Sequence, residues 1–263
     1  MSSFATRPGL RVLGVIPARY DSERLPGKVL LPICGKPMIQ VVYERARLCP
    51  LLDDLLVATD SERVQECCAR NQIPVRMTRA THRSGTERIL EVLENVPADV
   101  CVNIQGDEPM ISPAHLELLI EPFVARPGVQ VTTLKTPLDP AEASNQNVVK
   151  VVTNLRGEAV YFSRAPIPYP RNPASGLGFF KHLGLYAYTR AALERYRELP
   201  VSLLEETERL EQLRFIEHGI PVYVAETAED TIGVDTEADW AAVRKLFESL
   251  PPAAAGASEH AEG

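Results

Sequence analysis

Arg11-Val12-Leu13-Gly14-Val15-Ile16-Pro17-Ala18-Arg19-Tyr20-Asp21-Ser22-Glu23-Arg24-Leu25-Pro26-Gly27-Lys28 decides how the rest of the chain is read. Arg11 to Ile16 is a short apolar strand, and residues 17–28 place three cations, Arg19, Arg24 and Lys28, around the turn-prone Pro26-Gly27. A strand end that opens into such a loop is where an α/β protein holds phosphates. The run is no P-loop, because Val29 follows Gly27-Lys28, and it lacks the Gly-x-Gly-x-x-Gly of a dinucleotide fold. Side-chain charge therefore has to do much of what backbone N–H groups do in those loops, which suits a triphosphate. The competing reading is a solvated basic loop.

Outward from this stretch, apolar runs and helical patterns alternate. Pro37 to Leu48 reads as the first helix, with Pro37 at position N1 and Ile39, Val42 and Ala46 on one face. Asp54 to Thr59 is a strand, and Asp60 or Ser61 caps a helix to about Arg70. A short strand at Val75-Arg76-Met77 precedes a polar loop and a helix from Thr86 to Glu94. Asp99 to Ile104 is nearly all apolar, as a central strand covered on both faces should be. Ser112-Pro113 starts a helix to about Val124, and the alternation describes a three-layer α/β architecture.

The rhythm then changes. Gly128 to Leu134, Val148 to Thr153 and Glu158 to Ser163 are strand-like without a helix between them, the last two joined by the turn Asn154-Leu155-Arg156-Gly157. Pro166 to Gly178, rich in Pro and Gly, reads as a loop near a site. Phe180 to Tyr188 is a strand, Thr189 caps a helix to Arg197, Glu206 to His218 is helical, and Val222 to Ala225 is a short strand. Thr236 with Asp239 caps the final helix to about Leu250. The expected plan is an α/β mixed sheet spanning 11–250, with an antiparallel elaboration over about 128–225, a flexible N-terminus at 1–10 and a disordered tail at 251–263.

Composition limits what such a fold can do. With 263 residues, 45% of them hydrophobic, the chain can bury a large core. Its net charge of −7, from 28 basic and 35 acidic residues, argues against a nucleic-acid polymer or an anionic membrane as partner. No apolar run approaches the ~20 residues of a membrane span, so a cytoplasmic protein without membrane insertion is expected. The cysteines at 34, 49, 67, 68 and 101 are odd in number and lack metal-ligand spacing, and they read as buried thiols.

Several constellations can carry chemistry. Gln105-Gly106-Asp107-Glu108-Pro109 follows the most apolar strand, where open sheets place ligands. Asp107 is either a ligand for the divalent cation that a triphosphate needs or an Asx-turn residue. Asp235, in Gly233-Val234-Asp235-Thr236, could converge on the same Mg²⁺ or could simply cap the last helix. His82-Arg83-Ser84-Gly85-Thr86-Glu87-Arg88 suits either a nucleobase or phosphate contact or a capped helix with a surface charge pair. Arg164, His182 and Tyr186 flank the Pro-rich loop. Arginine suits a carboxylate and the other two suit hydroxyls, so they read as an acidic-polyol site or as a half-buried sheet face. His182 and Tyr186, four apart, share a face if the strand is unbroken. Glu205, Glu208, Glu211 and Gln212 line a helix and face solvent unless that helix borders a pocket.

These motifs together resemble the 3-deoxy-manno-octulosonate cytidylyltransferases, also called CMP-Kdo synthetases. The resemblance runs through Val15 to Tyr20, Leu25 to Lys28, Gly35 to Ile39, Val57 to Asp60, Ser84 to Arg88 and Asn103 to Pro109. It continues with Tyr161 to Pro168, His182-Leu183-Gly184, Leu210 to Arg214 and Gly233 to Thr236. It implies CTP plus 3-deoxy-D-manno-octulosonate (Kdo) giving CMP-Kdo and pyrophosphate for lipopolysaccharide, on a nucleotide-diphospho-sugar transferase-like fold that forms a homodimer. By the same resemblance Arg19, Ser22, Arg24 and Lys28 are the triphosphate loop, and Ser84 and Gln105 are cytidine-side contacts. Asp107 and Asp235 match the Mg²⁺ ligands; Arg164, His182, Tyr186, Glu211 and Gln212 fall where the acidic sugar is held.

Departures from the pattern are Asp21 and Glu23 beside the loop, which must point outward or pair with Arg24, and Arg83 at a position often neutral. A CMP-sialic acid synthetase, an enzyme for 8-amino-Kdo and a non-catalytic CTP sensor are the alternatives.

Overall fold

The computed structural model describes residues 9–22, 24–82, 84–172, 176 and 178–249; the expectations for residues 1–8 and for the tail from 250 onward, and those on Glu23 and Arg83, lie outside the described residues. In chain order the elements are β1 (Val12–Pro17), β2 (Pro32–Ile33), β3 (Lys36–Pro37), α1 (Met38–Ala46), β4 (Asp54–Thr59), α2 (Glu62–Arg70), β5 (Val75–Met77) and α3 (Gly85–Asn95). Then come β6 (Val100–Asn103), α4 (Pro113–Ala125), β7 (Val131–Leu138), β8 (Lys150–Thr153), β9 (Ala159–Ser163) and β10 (Phe179–Thr189). The chain closes with α5 (Arg190–Glu198), α6 (Leu203–Glu208), α7 (Gln212–Glu217), β11 (Val222–Glu226) and α8 (Glu237–Ser249). This is a mixed α/β fold with an antiparallel elaboration.

Contacts divide the chain into two compact units, with the divisions falling inside β1 and β6. One unit comprises residues 14–96, 103–113 and 231 onward. Here β1 neighbours β4, which pairs in parallel with β5. The helices bury one stripe each: Val64, Cys67 and Cys68 on α2, and Ile89, Leu90, Val92 and Leu93 on α3. A cluster of Ile33, Met38, Val41, Val234, Val243 and Phe247 packs α1 and α8 together, each fully buried aliphatic side chain contributing roughly 1.5–3 kcal/mol. Thr236 and Asp239 cap α8 reciprocally, with Thr236 N–H donating to Asp239 Oδ2 (2.8 Å) and Asp239 N–H to Thr236 Oγ1 (3.2 Å).

The other unit comprises residues up to 13, 97–102 and 114–230. Its strands run in the order β11-β7-β10-β6, with β8 on β10 and β9 on β8. The β7–β10 and β8–β9 pairs are antiparallel while β11 joins β7 in parallel, so the sheet is mixed. All four residues of β6 are buried, as its apolar run requires. Asn154 N–H donates to Glu158 O (2.8 Å) and closes the turn between β8 and β9.

Four expectations need correction. Pro37 is the N-cap of α1, in extended geometry, rather than its first helical residue. Strand β7 runs on to Leu138 because the long β10 pairs with it as far as Phe179. The single helix expected over 206–218 is two, α6 and α7, broken where Arg209 adopts a left-handed conformation (φ 53°). Cys34 is exposed, whereas the other four thiols are buried. Among the described residues no helix is long and apolar enough to cross a membrane.

Candidate active site

Beyond β1 the backbone is held by Ala18 N–H donating to Ala58 O (2.9 Å), and the following loop folds back on itself, Gly27 N–H donating to Tyr20 O (2.8 Å). Gly27 has φ +68°, and a Cβ there would come within 3.1 Å of the Tyr20 ring, so glycine fits on both counts. Arg63 of α2 fixes Tyr20 in turn, donating to its hydroxyl (2.7 Å) with the guanidinium 5.0 Å from the ring centroid. The loop is thereby a fixed cradle that presents Arg19, Ser22, Arg24 and Lys28. Arg19 Nη2 is buried and has no hydrogen-bond partner among the described residues. A buried guanidinium nitrogen without an acceptor is a costly arrangement, and an anion would complete it. Asp21 is exposed, in keeping with the outward orientation the loop's charge requires.

The turn after β6 is placed by backbone contacts. Ile104 N–H donates to Val15 O (2.9 Å), and Glu108 N–H donates to Gln105 O (3.2 Å). At Gly106 a Cβ would stand 2.9 Å from Pro17 O, so only glycine lets the turn lie against the end of β1. Asp107 follows. Burial of Val234 in the α1–α8 core, together with Val234 N–H donating to Asp107 O (2.9 Å), brings Asp235 beside it. Lys28 Nζ donates to both carboxylates, at 2.9 Å from Asp235 Oδ1 and in a tighter pair with Asp107 Oδ2. Arg24 Nη2 lies 2.9 Å from Asp235 Oδ2 and not beside Asp21. Burial works to lower the Lys28 pKa, but the Asp107 and Asp235 carboxylates outweigh it and raise the value above that of an ordinary lysine. Lys28 is therefore a full cation at neutral pH.

Among the described residues no group of three or more His, Cys, Asp or Glu side chains forms a metal cluster. Two converged carboxylates nevertheless fit Mg²⁺, which commonly takes one or two carboxylates and completes its shell with waters and substrate phosphates. That the pair already grips one cation, the Lys28 ammonium, is the observation on which the fit rests.

Ser84 caps α3, its hydroxyl accepting from Glu87 N–H (3.3 Å). A Cβ on the neighbouring Gly85 would lie 3.3 Å from Pro17 Cγ and 3.8 Å from Asn103 Nδ2, so the start of α3 beside Ser84 packs on the ends of β1 and β6. The expectation for Arg88 changes: it is 0% exposed and pairs with Asp60 (2.7 Å), and it also donates to Thr78 Oγ1. Arg88 therefore ties α3 to the ends of β4 and β5 and is not a surface charge. His82 is likewise engaged, with Glu91. Burial works to raise the Glu91 pKa, but the bond from His82 and the field of Arg79 leave it lowered.

The sugar-facing candidates fall in the other unit. At the end of β9, Arg164 donates through Nε to Glu208 O (2.9 Å) and through Nη1 to Gln146 O (3.0 Å), while its backbone N–H goes to Glu208 Oε2 (3.0 Å). Glu208 also accepts from Ser163 Oγ (2.6 Å). Lys150, fully buried, donates to the carbonyls of Asn145 (3.0 Å), Val148 (2.7 Å) and Arg164 (2.5 Å), and burial pulls its pKa down. His182 and Tyr186 are not on an unbroken strand: the register of β10 against β7 shifts between Leu183 and Tyr186. Their rings still meet at 5.4 Å, and Phe162 closes on His182 edge-on at 4.8 Å.

Both groups are buried, not half-buried. Burial, helped by Lys181, pushes His182 down to about 3; burial, then the Glu211 carboxylate, pushes Tyr186 well above its usual value. Glu211 is exposed and Gln212, opening α7, is buried. Glu205 and Glu208 do not face solvent as expected: Glu205 takes two bonds of 2.6 Å from Arg214. Tyr20, Arg63, Lys150 and Glu208 are the supporting residues that sequence reading missed. Tyr20 and Asp60, both inside quoted motifs, carried a signal.

A family model described as Cytidylyltransferase matches residues 13–228. The 3-deoxy-manno-octulosonate cytidylyltransferase of Acidobacterium capsulatum is 54% identical over 238 residues, 90% of this chain and 97% of that protein. The one from Escherichia coli is 49% identical over 233 residues, 89% of this chain and 94% of that protein. The structure of CMP:2-keto-3-deoxy-manno-octonic acid synthetase complexed with CTP superposes with a TM-score of 0.88 at 48% identity, covering 90% of this chain and 98% of that one. A cytidylyltransferase from Leptospira borgpetersenii, at 17% identity and a TM-score of 0.62, shares the fold. The family model over residues 13–228 and relatives about half identical over nine-tenths of its length show that the chain belongs to the cytidylyltransferase family, among its 3-deoxy-manno-octulosonate members.

Proposed function

We propose that this chain transfers CMP from CTP to the anomeric 2-hydroxyl of Kdo and releases pyrophosphate, supplying CMP-Kdo for lipopolysaccharide. The observation that carries the proposal is the grip of Lys28 on Asp107 and Asp235, on the loop that also carries Arg19, whose Nη2 is buried without a hydrogen-bond partner among the described residues. Arg19, Ser22, Arg24 and Lys28 bind the triphosphate, and Ser84 and Gln105 take the cytidine side. In an in-line attack on the α-phosphorus, Lys28 and Arg19 offset the charge that grows on the phosphate oxygens and the departing pyrophosphate. Asp107 and Asp235 would hold Mg²⁺, which when bound supplies further charge neutralisation and lowers the pKa of a coordinated hydroxyl. The attacking group is a hemiketal hydroxyl, more acidic than a simple alcohol. No histidine base is required.

Arg164 takes the acceptor's carboxylate, with Nη2 free of partners among the described residues, and His182, Tyr186, Glu211 and Gln212 take its hydroxyls. Residues 11–250 act as one cytidylyltransferase domain whose elaboration at 128–225 holds the sugar and supports a homodimer in the cytoplasm.

Pyrophosphate release is the test, run with CTP, Mg²⁺ and Kdo, 8-amino-Kdo or N-acetylneuraminate in turn. Release with Kdo, at a higher kcat/KM than with either other sugar, is expected. CTP-dependent stabilisation without release, or a preference for another acceptor, overturns the proposal.

A further inference from the structure

We propose that Thr133 is a positioning residue that holds His182 as its Nε2–H tautomer, so that the Nδ1 lone pair is left to accept a hydroxyl of the acceptor sugar. The inference rests on the reading of His182 as a sugar-facing group. Thr133 is fully buried on β7, opposite the register shift of β10. Between Leu183 and Tyr186 the strand holds two residues, Gly184 and Leu185, while the facing strand passes directly from Leu134 to Thr133. That irregularity turns backbone carbonyls toward the threonine: Thr133 Oγ1 lies 2.8 Å from Leu185 O and 3.2 Å from Leu183 O. It also lies 2.9 Å from His182 Nε2.

A hydroxyl has one proton and two lone pairs. Carbonyl oxygens only accept, so the proton belongs to the Leu185 side of the threonine. The contact with His182 must then be donated to it. His182 supplies Nε2–H to one of its lone pairs. The opposite tautomer would set the Nε2 lone pair against the Thr133 oxygen at 2.9 Å, or would draw the threonine proton away from the interrupted ladder. Burial supports the same picture, since it keeps His182 neutral with a single N–H to place.

The consequence concerns specificity. His182 can offer the acceptor only a lone pair. It therefore takes a sugar hydroxyl as donor and repels the carboxylate, which is left to Arg164.

Long-range proton–nitrogen correlation spectra of the uniformly labelled full chain, without ligand, read the tautomer directly. Nε2–H in the parent is expected; Nδ1–H overturns the proposal whatever the enzyme's substrate. Steady-state kinetics then compare Thr133→Val with Thr133→Ser. The valine variant should raise KM for Kdo roughly tenfold, the loss of one oriented hydrogen bond, with KM for CTP within about twofold. The serine variant, keeping the hydroxyl, should restore it. An unchanged KM for Kdo in the valine variant, or no restoration by serine, overturns the positioning role. A parent enzyme inactive with Kdo would instead sink the functional reading, and the spectra would still decide the tautomer.

Discussion

Asp235 lies 207 positions beyond Lys28 in sequence, yet its Oδ1 stands 2.9 Å from the Lys28 ammonium. The contact is indirect in origin. Gly27 and the Tyr20 ring set the lysine, and the burial of Val234 sets the aspartate. Asp107 completes the group through its own bond to Lys28 and the backbone bond from Val234. One ammonium thus keeps two carboxylates together that would otherwise repel each other.

Asp107→Ala and Asp235→Ala should lower kcat by about a hundredfold or more while CTP binding changes far less, because the groups they position matter most in the transition state. Steady-state rates at saturating Mg²⁺, set beside calorimetric CTP titration, separate the two effects. Near-parental kcat in either folded variant would remove that aspartate from the site. Lys28→Ala should instead weaken CTP binding and turnover together.

Gly106→Ala tests how tightly the turn must lie on β1. Its Cβ would meet Pro17 O at 2.9 Å, a backbone atom that cannot swing aside. A cost of about 1–3 kcal/mol in urea unfolding is expected from overpacking, with a loss of kcat as Asp107 is displaced. A variant with parental stability and rate would show that the turn has slack.

How much of this was open to sequence reading depends on range. Strand β4 and the caps at Thr189 and Thr236 were legible because apolar runs and capping residues act within a few positions. The break at Arg209 was not, since no Gly, Asn or Pro announces a left-handed residue there. The end of β7 was missed because Pro137 reads as a terminator, whereas pairing with Phe180 carries the strand through it. In the site, the cationic loop and Asp107 declare themselves locally. The approach of Asp235 to Lys28 does not, and neither does Glu208, which is read as a solvent-facing carboxylate until Ser163 and Arg164 are seen to bond it.

Asp60→Ala should destabilise strongly for a reason separate from catalysis. It leaves the Arg88 guanidinium, 0% exposed, without its ion-pair partner. Breaking a buried pair from one side costs roughly 3–5 kcal/mol, readable in denaturant unfolding. Replacing both, as Asp60→Ala with Arg88→Met, should cost less than the single change. If the double variant proved as unstable as the sum of its singles, the pair would not be the source of the effect.

Lys150→Met should disturb the acceptor side without touching the nucleotide side. Its ammonium joins the carbonyls of Asn145, Val148 and Arg164, and the thioether offers them nothing. The backbone that presents Arg164 then loses its tie, and a rise of about tenfold in KM for Kdo is expected while KM for CTP holds. Equal rises in both constants would indicate general loosening of the fold instead.

Burial of His182 also sets a dependence of stability on pH. Its folded pKa, about 3, lies below the ordinary value of 6.5, so between those limits the unfolded chain binds the proton and the folded chain does not. Unfolding free energy therefore rises with pH across that window. The contribution is complete above the ordinary value and is lost progressively as the pH falls toward the folded one, by at most ~1.4 kcal/mol per pH unit. The carboxylates titrate over part of the same range, which makes the comparison with His182→Phe the informative one, because they are common to both proteins. Denaturant unfolding between neutral pH and about pH 5 should show the parent losing stability faster than the phenylalanine variant as the solution is acidified. A parent-minus-variant difference that stays flat with pH would mean that His182 is not held neutral by burial. The lone pair assigned to the sugar would then be taken by a proton below about the ordinary value of 6.5.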